Sequence, residues 1–411
     1  MTEQATSWTP PQEQAAGALI RLHGAPAGAL RFVWSPYRIC PLGAHIDHQL
    51  GTVTALAIDR GTWLAFWPWD RPEVAVSRLG HEGQVRLRVD EPPPPARGDW
   101  GDYLRGAVQA LQQSGWRLRR GFAGVTSGEL TEAGLSSSAS VGLAYLLALE
   151  TVNGLEVAPE DNVRLDQAIE NGYLGLRNGI LDQSAILFSR RRHLTVIDCR
   201  RFEAGGGAAA AVRRVPAPSG VEQPRWLVAL SGVTRAILAT GYNQRVAECE
   251  AAARVLLEAA GRRAERPRLG LVTPEEYARW ADRLAGAPAR RARHFFEEMR
   301  RVAEGVEAWA AGDWARFGRL MTESGRSSIE NYECGSEPLI DLYRLLVATP
   351  GVLGARFSGA GFRGCCVALV EPERAEATAR EVMAAYRQRQ PAWAERAGHV
   401  IVEAADGACV Q

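Results

Sequence analysis

Gly134-Leu135-Ser136-Ser137-Ser138-Ala139-Ser140 stands between a strand expected over residues 122–126 and a helix expected over residues 136–153, which Gly154 stops. A small-residue turn that opens a helix leaves its first backbone N–H groups unpaired and pointing outward. Those donors and the positive end of the helix dipole bind phosphate. Three consecutive hydroxyls add further donors and a candidate magnesium ligand at Ser138. One serine suffices for an N-cap, so the run at 136–138 favours a phosphate loop over a plain capped turn.

The rest of the chain narrows the class of phosphate chemistry. All 48 basic residues are arginine; no lysine occurs. That excludes a Walker-A lysine, a protein-kinase strand lysine and a Schiff-base lysine. The 48 basic side chains meet 47 acidic ones, a formal charge of +1, so no whole-chain nucleic-acid footprint exists. At 411 residues, with 46% hydrophobic and 23% charged residues, the chain suits two globular domains. Its seven cysteines are odd in number and form no CxxC pair, which supports reduced thiols rather than a disulfide framework or zinc ribbon. Residues 1–14 lack a signal-peptide pattern, and no uncharged apolar run is long enough for a bilayer. A cytoplasmic protein without membrane or nucleic-acid partners is expected.

Outward from the serine turn, strands are expected at 31–34, 52–58, 62–67, 85–89 and 193–198, and helices at 102–113 and 160–172. Residues 203–220 hold three consecutive glycines (205–207), an alanine run and two prolines; they read as a linker, with a short helix as the alternative for the alanines. Helices at 244–260, 288–311, 314–323 and 373–389 then surround strands at 355–358, 365–370 and 399–403, an α+β pattern.

Three further segments carry polar groups suited to chemistry. Asp182 lies between a glycine turn and an apolar helix; by itself it reads as a general base or, more simply, as an N-cap. Arg38, His45 and Asp47 share a loop dense in hydrogen-bonding groups, which suits a sugar, a surface His–Asp pair or a zinc ion. Gly359-Ala360-Gly361-Phe362-Arg363-Gly364 mimics GxGxxG but precedes a strand, so it reads as a loop closing over a site rather than a dinucleotide fingerprint.

In order and spacing these segments resemble the three motifs of the GHMP kinases, at 36–51, 134–140 and 358–366. Residues 179–183 and 198–200 resemble the galactokinase branch. Residues 35–49, 170–187, 327–339 and 354–366 are similar to the plant-type galacturonokinases. The resemblance implies a two-domain α+β GHMP kinase fold. Its N-terminal mixed α/β domain, with a region like ribosomal protein S5, would span 1–210; a ferredoxin-like α+β domain with extra helices would span 221–411. It implies Asp182 and Arg38 as catalytic residues, and His45, Asp47, Ala44, Gly179, Tyr242 and Arg363 at the sugar. It further implies Gly134, Leu135, Ser136, Ser137, Ser138 and Trp100 at ATP, with Ser138 and Glu170 on Mg²⁺. Partners would be ATP and a small sugar acid, and the chain would be a monomer or homodimer.

Two departures bear on the sugar. Galactokinases resemble one another in Gly-Glu-His-Thr-Asp-Tyr, where this chain has Gly43-Ala44-His45-Ile46-Asp47-His48, and in a glycine where Arg363 stands. The expected reaction is phosphorylation of the anomeric hydroxyl of D-galacturonic acid by ATP. Alternatives are galactokinase activity and a non-catalytic sugar sensor. Arg363, Arg177 and His48 are the candidate cations for a substrate carboxylate.

Overall fold

The computed structural model describes residues 10–130, 133–233 and 239–411; the absence of a leader-like pattern was read over 1–14, of which 1–9 lie outside the described residues. Strands β1 (Arg31–Ile39), β2 (Thr52–Pro68), β3 (Glu73–Arg78), β4 (Gln84–Arg88), β5 (Phe122–Gly128), β6 (His193–Asp198) and β7 (Val212–Pro216) come first. They build one sheet in the order β1-β2-β5-β3-β4, with β6 on β2 and β7 on β6. Among the described residues only the β3–β5 pairing is parallel. The two strands expected at 52–58 and 62–67 are one, because Gly61 lets β2 run on: a Cβ there would overlap the Ser35 carbonyl. The register between β1 and β2 shifts between Pro36 and Tyr37. Proline has no N–H to give the ladder, so a bulge falls naturally there.

Helices Asp102–Gln113 and Ser137–Asn153 cover this sheet; Leu104, Val108, Leu111, Leu143 and Leu146 meet Leu64, Phe66 and Val76 in a fully buried cluster. The helix expected over 160–172 is α-helical over Pro159–Gln167 and widens to a π-helix over Ala168–Tyr173. Such widened turns gather at functional sites; this one carries Glu170.

The second sheet consists of β8 (Arg225–Leu230), β9 (Val352–Phe357), β10 (Cys365–Val370) and β11 (Gly398–Val402), antiparallel in the order β11-β8-β10-β9. Long helices Ala239–Ala259, Gly286–Ala311, Trp314–Glu330, Glu337–Ala348 and Ala375–Arg389 surround it. The segment read as a linker is structured instead. Its alanines form a short helix, Gly207–Ala211, and residues 212–216 are β7, paired to β6. The final strand, β12 (Cys409–Val410), returns to the first sheet and pairs with β1. Two large core clusters each mix residues of both sheets; Tyr37, Ile39 and Leu56 pack with Val228, Trp309 and Val367 in one of them. No described helix is long and apolar enough to cross a membrane.

Helix Trp314–Glu330 touches β9 backbone to backbone: a Cβ on Gly354 would overlap the Gly318 carbonyl. No rotamer change can relieve a clash with main chain. Gly354→Ala is therefore expected to cost about 2–3 kcal/mol of unfolding free energy, measured by denaturant titration. A cost below ~0.5 kcal/mol, the range of neutral surface changes, would show that the contact has slack.

Candidate active site

The guanidinium of Arg38, 3% exposed on β1, is the hub of the site. Its Nε donates to Asp182 Oδ1 at 2.7 Å, and its Nη1 donates to the Gly134 carbonyl at 3.2 Å. Asp182 is the second residue of helix Leu181–Phe188 and caps nothing; Ile180 holds the N-cap position. Its Oδ2 instead accepts from the Ser136 hydroxyl. The simpler reading of Asp182 as an N-cap is thus overturned. Ser136 sits at the N-cap position in a left-handed conformation (φ 61°) and makes no capping bond. Its hydroxyl is spent on Asp182, which leaves the helix N–H groups to another acceptor.

The third glycine-rich segment packs against this turn. Ser358 Oγ donates to the Gly134 carbonyl at 2.9 Å. A Cβ on Gly134 would sit 2.9 Å from Ser358 O, and one on Gly359 would sit 2.8 Å from Gly134 O. Both have positive φ, 75° and 67°. The glycines let two loops touch main chain to main chain.

At the other end, Asp47 Oδ2 accepts from Leu181 N at 3.3 Å. Burial, with the Asp182 charge beside it, pushes the Asp47 carboxyl up to about 6. Gly179 has no room for a side chain: a Cβ would overlap Asp47 Oδ2. His45, with φ 60°, stacks on Tyr332 at 4.2 Å between ring centroids. His48 Nδ1 takes the Gln49 Nε2 donor at 3.0 Å, so its Nε2 carries the proton and donates to Tyr332 Oη at 3.1 Å. Burial holds that imidazole down at about 3, hence neutral. The loop backbone is held by Glu298, whose Oε1 accepts from Gly43 N at 2.8 Å and Ala44 N at 3.3 Å.

Glu170, 1% exposed, accepts from Asn178 Nδ2 at 2.7 Å on Oε2, while its Oε1 lacks a hydrogen-bond partner. Burial and the nearby Asp182 charge raise its carboxyl to about 7. The Ser138 hydroxyl lies alongside. An orphaned carboxylate oxygen beside a hydroxyl fits a hard divalent cation, which takes oxygen donors. Among the described residues no group of three or more His, Cys, Asp or Glu could hold a metal alone, so such an ion needs phosphate oxygens as well. The zinc reading of His45, His48 and Asp47 fails on the same observation.

A cavity of about 550 Å³ joins these parts. Arg38, Ala44, His45, Asp47, Trp100, Gly134, Ser136, Ser137, Ser138, Gly179, Asp182, Tyr242 and Arg363 all line it. Leu135 does not: its side chain is in the core, and only its carbonyl takes part, accepting from Arg38 N at 3.1 Å. Glu170 is not in the lining, but its neighbour Ser138 is. Of the three candidate cations, Arg177 is held by Glu250 at 2.5 Å outside the lining, and His48 is neutral. Arg363 lines the cavity at the Gly134 end. Arg78, Tyr103 and Arg356 also line it. Nothing in their local sequence marked them, since each sits in an ordinary strand or helix.

A helix N-terminus with hydroxyls, a buried arginine paired to a half-buried aspartate and a polar pocket beside it make a site for phosphoryl transfer to a small polar acceptor. The chain belongs to the GHMP kinase family. The family's N-terminal domain matches residues 102–190 and its C-terminal domain residues 303–388. A galacturonokinase of Arabidopsis thaliana is 48% identical over 417 residues, covering 96% of both chains. A galactokinase of a Roseiflexus species is 34% identical, covering 86% of this chain and 87% of its own. Among solved structures, Lactococcus lactis galactokinase complexed with galactose superposes with a TM-score of 0.86 at 27% identity, covering 96% of this chain and 98% of its own.

The raised Glu170 carboxyl has a signature in solution. An unfolded glutamate titrates near its ordinary 4.5, the folded one near 7. Its contribution to stability is full below 4.5 and is lost as pH rises through 7. Buried neutral His48 works in the opposite sense below 6.5. The difference between Glu170→Gln and wild type cancels the His48 contribution. Without metal or nucleotide, the variant's stability relative to wild type is expected to rise between pH 5 and pH 8. A flat difference in melting temperature would place Glu170 in a wetter setting.

Proposed function

We propose that the chain transfers the γ-phosphoryl group of ATP to the anomeric hydroxyl of D-galacturonic acid, giving galacturonate 1-phosphate and ADP. The observation that carries this reading is the Arg38–Asp182–Ser136 constellation facing a cavity whose sugar end has Ala44 in place of an acidic residue. Phosphoryl transfer asks mainly for positioning and charge neutralisation. The N-terminus of helix Ser137–Asn153 holds the phosphates, and Trp100 flanks the adenine. Asp182 accepts or orients the proton of the sugar's O1. Arg38 fixes Asp182 and neutralises charge on the transferring group. Ser138 and Glu170 would hold Mg²⁺, which when bound supplies further neutralisation of the phosphates. His45, Asp47, Gly179 and Tyr242 shape the sugar pocket. We place the enzyme in the cytoplasm, as a monomer or homodimer, and divide it at 1–210 and 221–411, with the final strand β12 crossing back to the first sheet. D-Galactose is the second reading, supported by the same scaffold and catalytic set. The intact set speaks against a sugar sensor.

Asp182→Asn is nearly isosteric and deletes only charge and basicity. Turnover is expected to fall by roughly 10³-fold or more, with ATP and sugar binding largely kept, as read by ADP release and calorimetry. A variant keeping a third of wild-type turnover would reduce Asp182 to a structural residue.

Ala44 decides between the sugars. ADP release measured over galacturonate, glucuronate, galactose and glucose is expected to be fastest with galacturonate. A glutamate at 44 would set two carboxylates about 4 Å apart, a repulsion of about 4 kcal/mol at an effective dielectric near 20, or roughly a thousandfold. Losing a hydrogen bond to a hydroxyl costs only about 1 kcal/mol. Ala44→Glu should therefore depress kcat/KM for galacturonate steeply and spare galactose. Parallel losses on both sugars would mean a damaged loop and no charge selection.

A further inference from the structure

Arg356 is 1% exposed in β9 and yet lines the cavity. Its Nε donates to the Phe357 carbonyl at 3.0 Å. Its Nη1 has no hydrogen-bond partner. The Glu298 Oε1 atom, at 3.9 Å, is beyond hydrogen-bond reach. That oxygen already accepts from Gly43 N, Ala44 N and Ser324 Oγ, and Oε2 accepts from Arg301 Nε. One carboxylate is thus shared between two guanidinium groups and is spent on the other one. Arg301 also has an unpartnered nitrogen, but it holds Glu298 at 2.7 Å, and other buried arginines are paired more fully. Arg291 is paired with Glu248 and Glu333 and donates to the Asn331 carbonyl; Arg38 is paired with Asp182. A guanidinium removed from water without full pairing is costly, and it is a ready receptor for a planar carboxylate.

Its position is at the sugar end. Arg356 and Ala44 flank the same Glu298 oxygen. Its charge also acts on the buried His45 ring. Arg363, by contrast, acts on Tyr103 and packs by Gly134, at the phosphate end. With O1 of the sugar against Asp182, the opposite end of the ring faces Ala44.

We propose that Arg356 receives the C6 carboxylate of the sugar acid, in space left open by the small side chain of Ala44. The proposal rests on the galacturonate reading above. The substrate's carboxylate then plays the part that a glutamate at position 44 would play from within the protein: it completes the pairing of a buried arginine.

The test compares ADP-release kinetics of wild type, Arg356→Gln and Arg356→Lys on galacturonate and galactose. In Arg356→Gln the ratio of kcat/KM for galacturonate to that for galactose is expected to fall about 100-fold, from the loss of charged hydrogen bonds, chiefly through the galacturonate KM. Arg356→Lys keeps the charge without the fork, and roughly a tenfold fall is expected. Wild type that turns over galacturonate, with the ratio unchanged in both variants, would overturn the role of Arg356 and leave the substrate reading standing. Wild type inactive on galacturonate would overturn both. Should thermal melts show Arg356→Gln unfolded, the ratio in Arg356→Lys decides alone.

Discussion

One buried cation organises the catalytic half of this molecule. The guanidinium of Arg38 leaves the first sheet and joins Asp182, the serine turn and the third glycine segment in a single hydrogen-bonded node. These groups come from residues 38, 134, 182 and 358, so no short stretch of chain can assemble it. The charge inside the node balances, one guanidinium to one carboxylate. Arg38 is the buried partner, and Asp182 faces the cavity with 22% of its side chain exposed, so losing the carboxylate would leave the guanidinium without its counter-ion. The fold therefore protects the pair, and chemistry can use it.

Close approach is the second constraint. The node forms only because the loops around it have almost no side chains. Gly134, Gly359 and Gly364 stack the serine turn on the third motif at main-chain distance, and Gly179 lets Asp47 reach the start of the Asp182 helix. Pre-positioned donors of this kind need little reorganisation when charge develops, and that is where electrostatic catalysis gains most. The same contacts tie the two sheets together around the cavity, with clusters that draw on both. The glycine contacts therefore serve stability and geometry at once.

The sequence made the parts of the site legible better than their relations. The serine turn, the strand before it and the helix after it followed from local chemistry, and helix Asp102–Gln113 and strands His193–Asp198 and Cys365–Val370 emerged as expected. The linker at 203–220 did not: alanines and glycines look alike as spacer or short helix, and only tertiary pairing to β6 settles it. Asp182 as an N-cap was the natural local reading, yet its partners lie 144 and 46 positions away. Glu298 and Arg356 left no local trace at all. Each is a charged residue inside a helix or strand, and what distinguishes them is burial, which a single sequence does not display.

Burial also explains how the carboxylates divide their tasks. Asp47, Asp166, Glu170 and Asp182 sit near one another, but only Asp182 has a guanidinium at hydrogen-bond distance. Desolvation drives Asp47 to about 6 and Glu170 to about 7, and pushes the wholly unpartnered Asp166 well above the carboxylate range. Burial and mutual repulsion make the acids without a cation at hydrogen-bond distance harder to ionise. A positive ligand entering beside Glu170 would release its proton and strengthen it as a donor. At the other end Arg301 holds Glu298 at 2.7 Å and Glu297 at 3.5 Å, while among the described residues Arg356 has only Glu298, at 3.9 Å. Under the proposed placement two local deficits remain: the acids around Glu170 lack a cation, and the Arg356 guanidinium lacks a carboxylate at hydrogen-bond distance. A substrate that brings a carboxylate to one end and a metal-bound triphosphate to the other corrects both deficits in one complex, and a neutral sugar corrects only one.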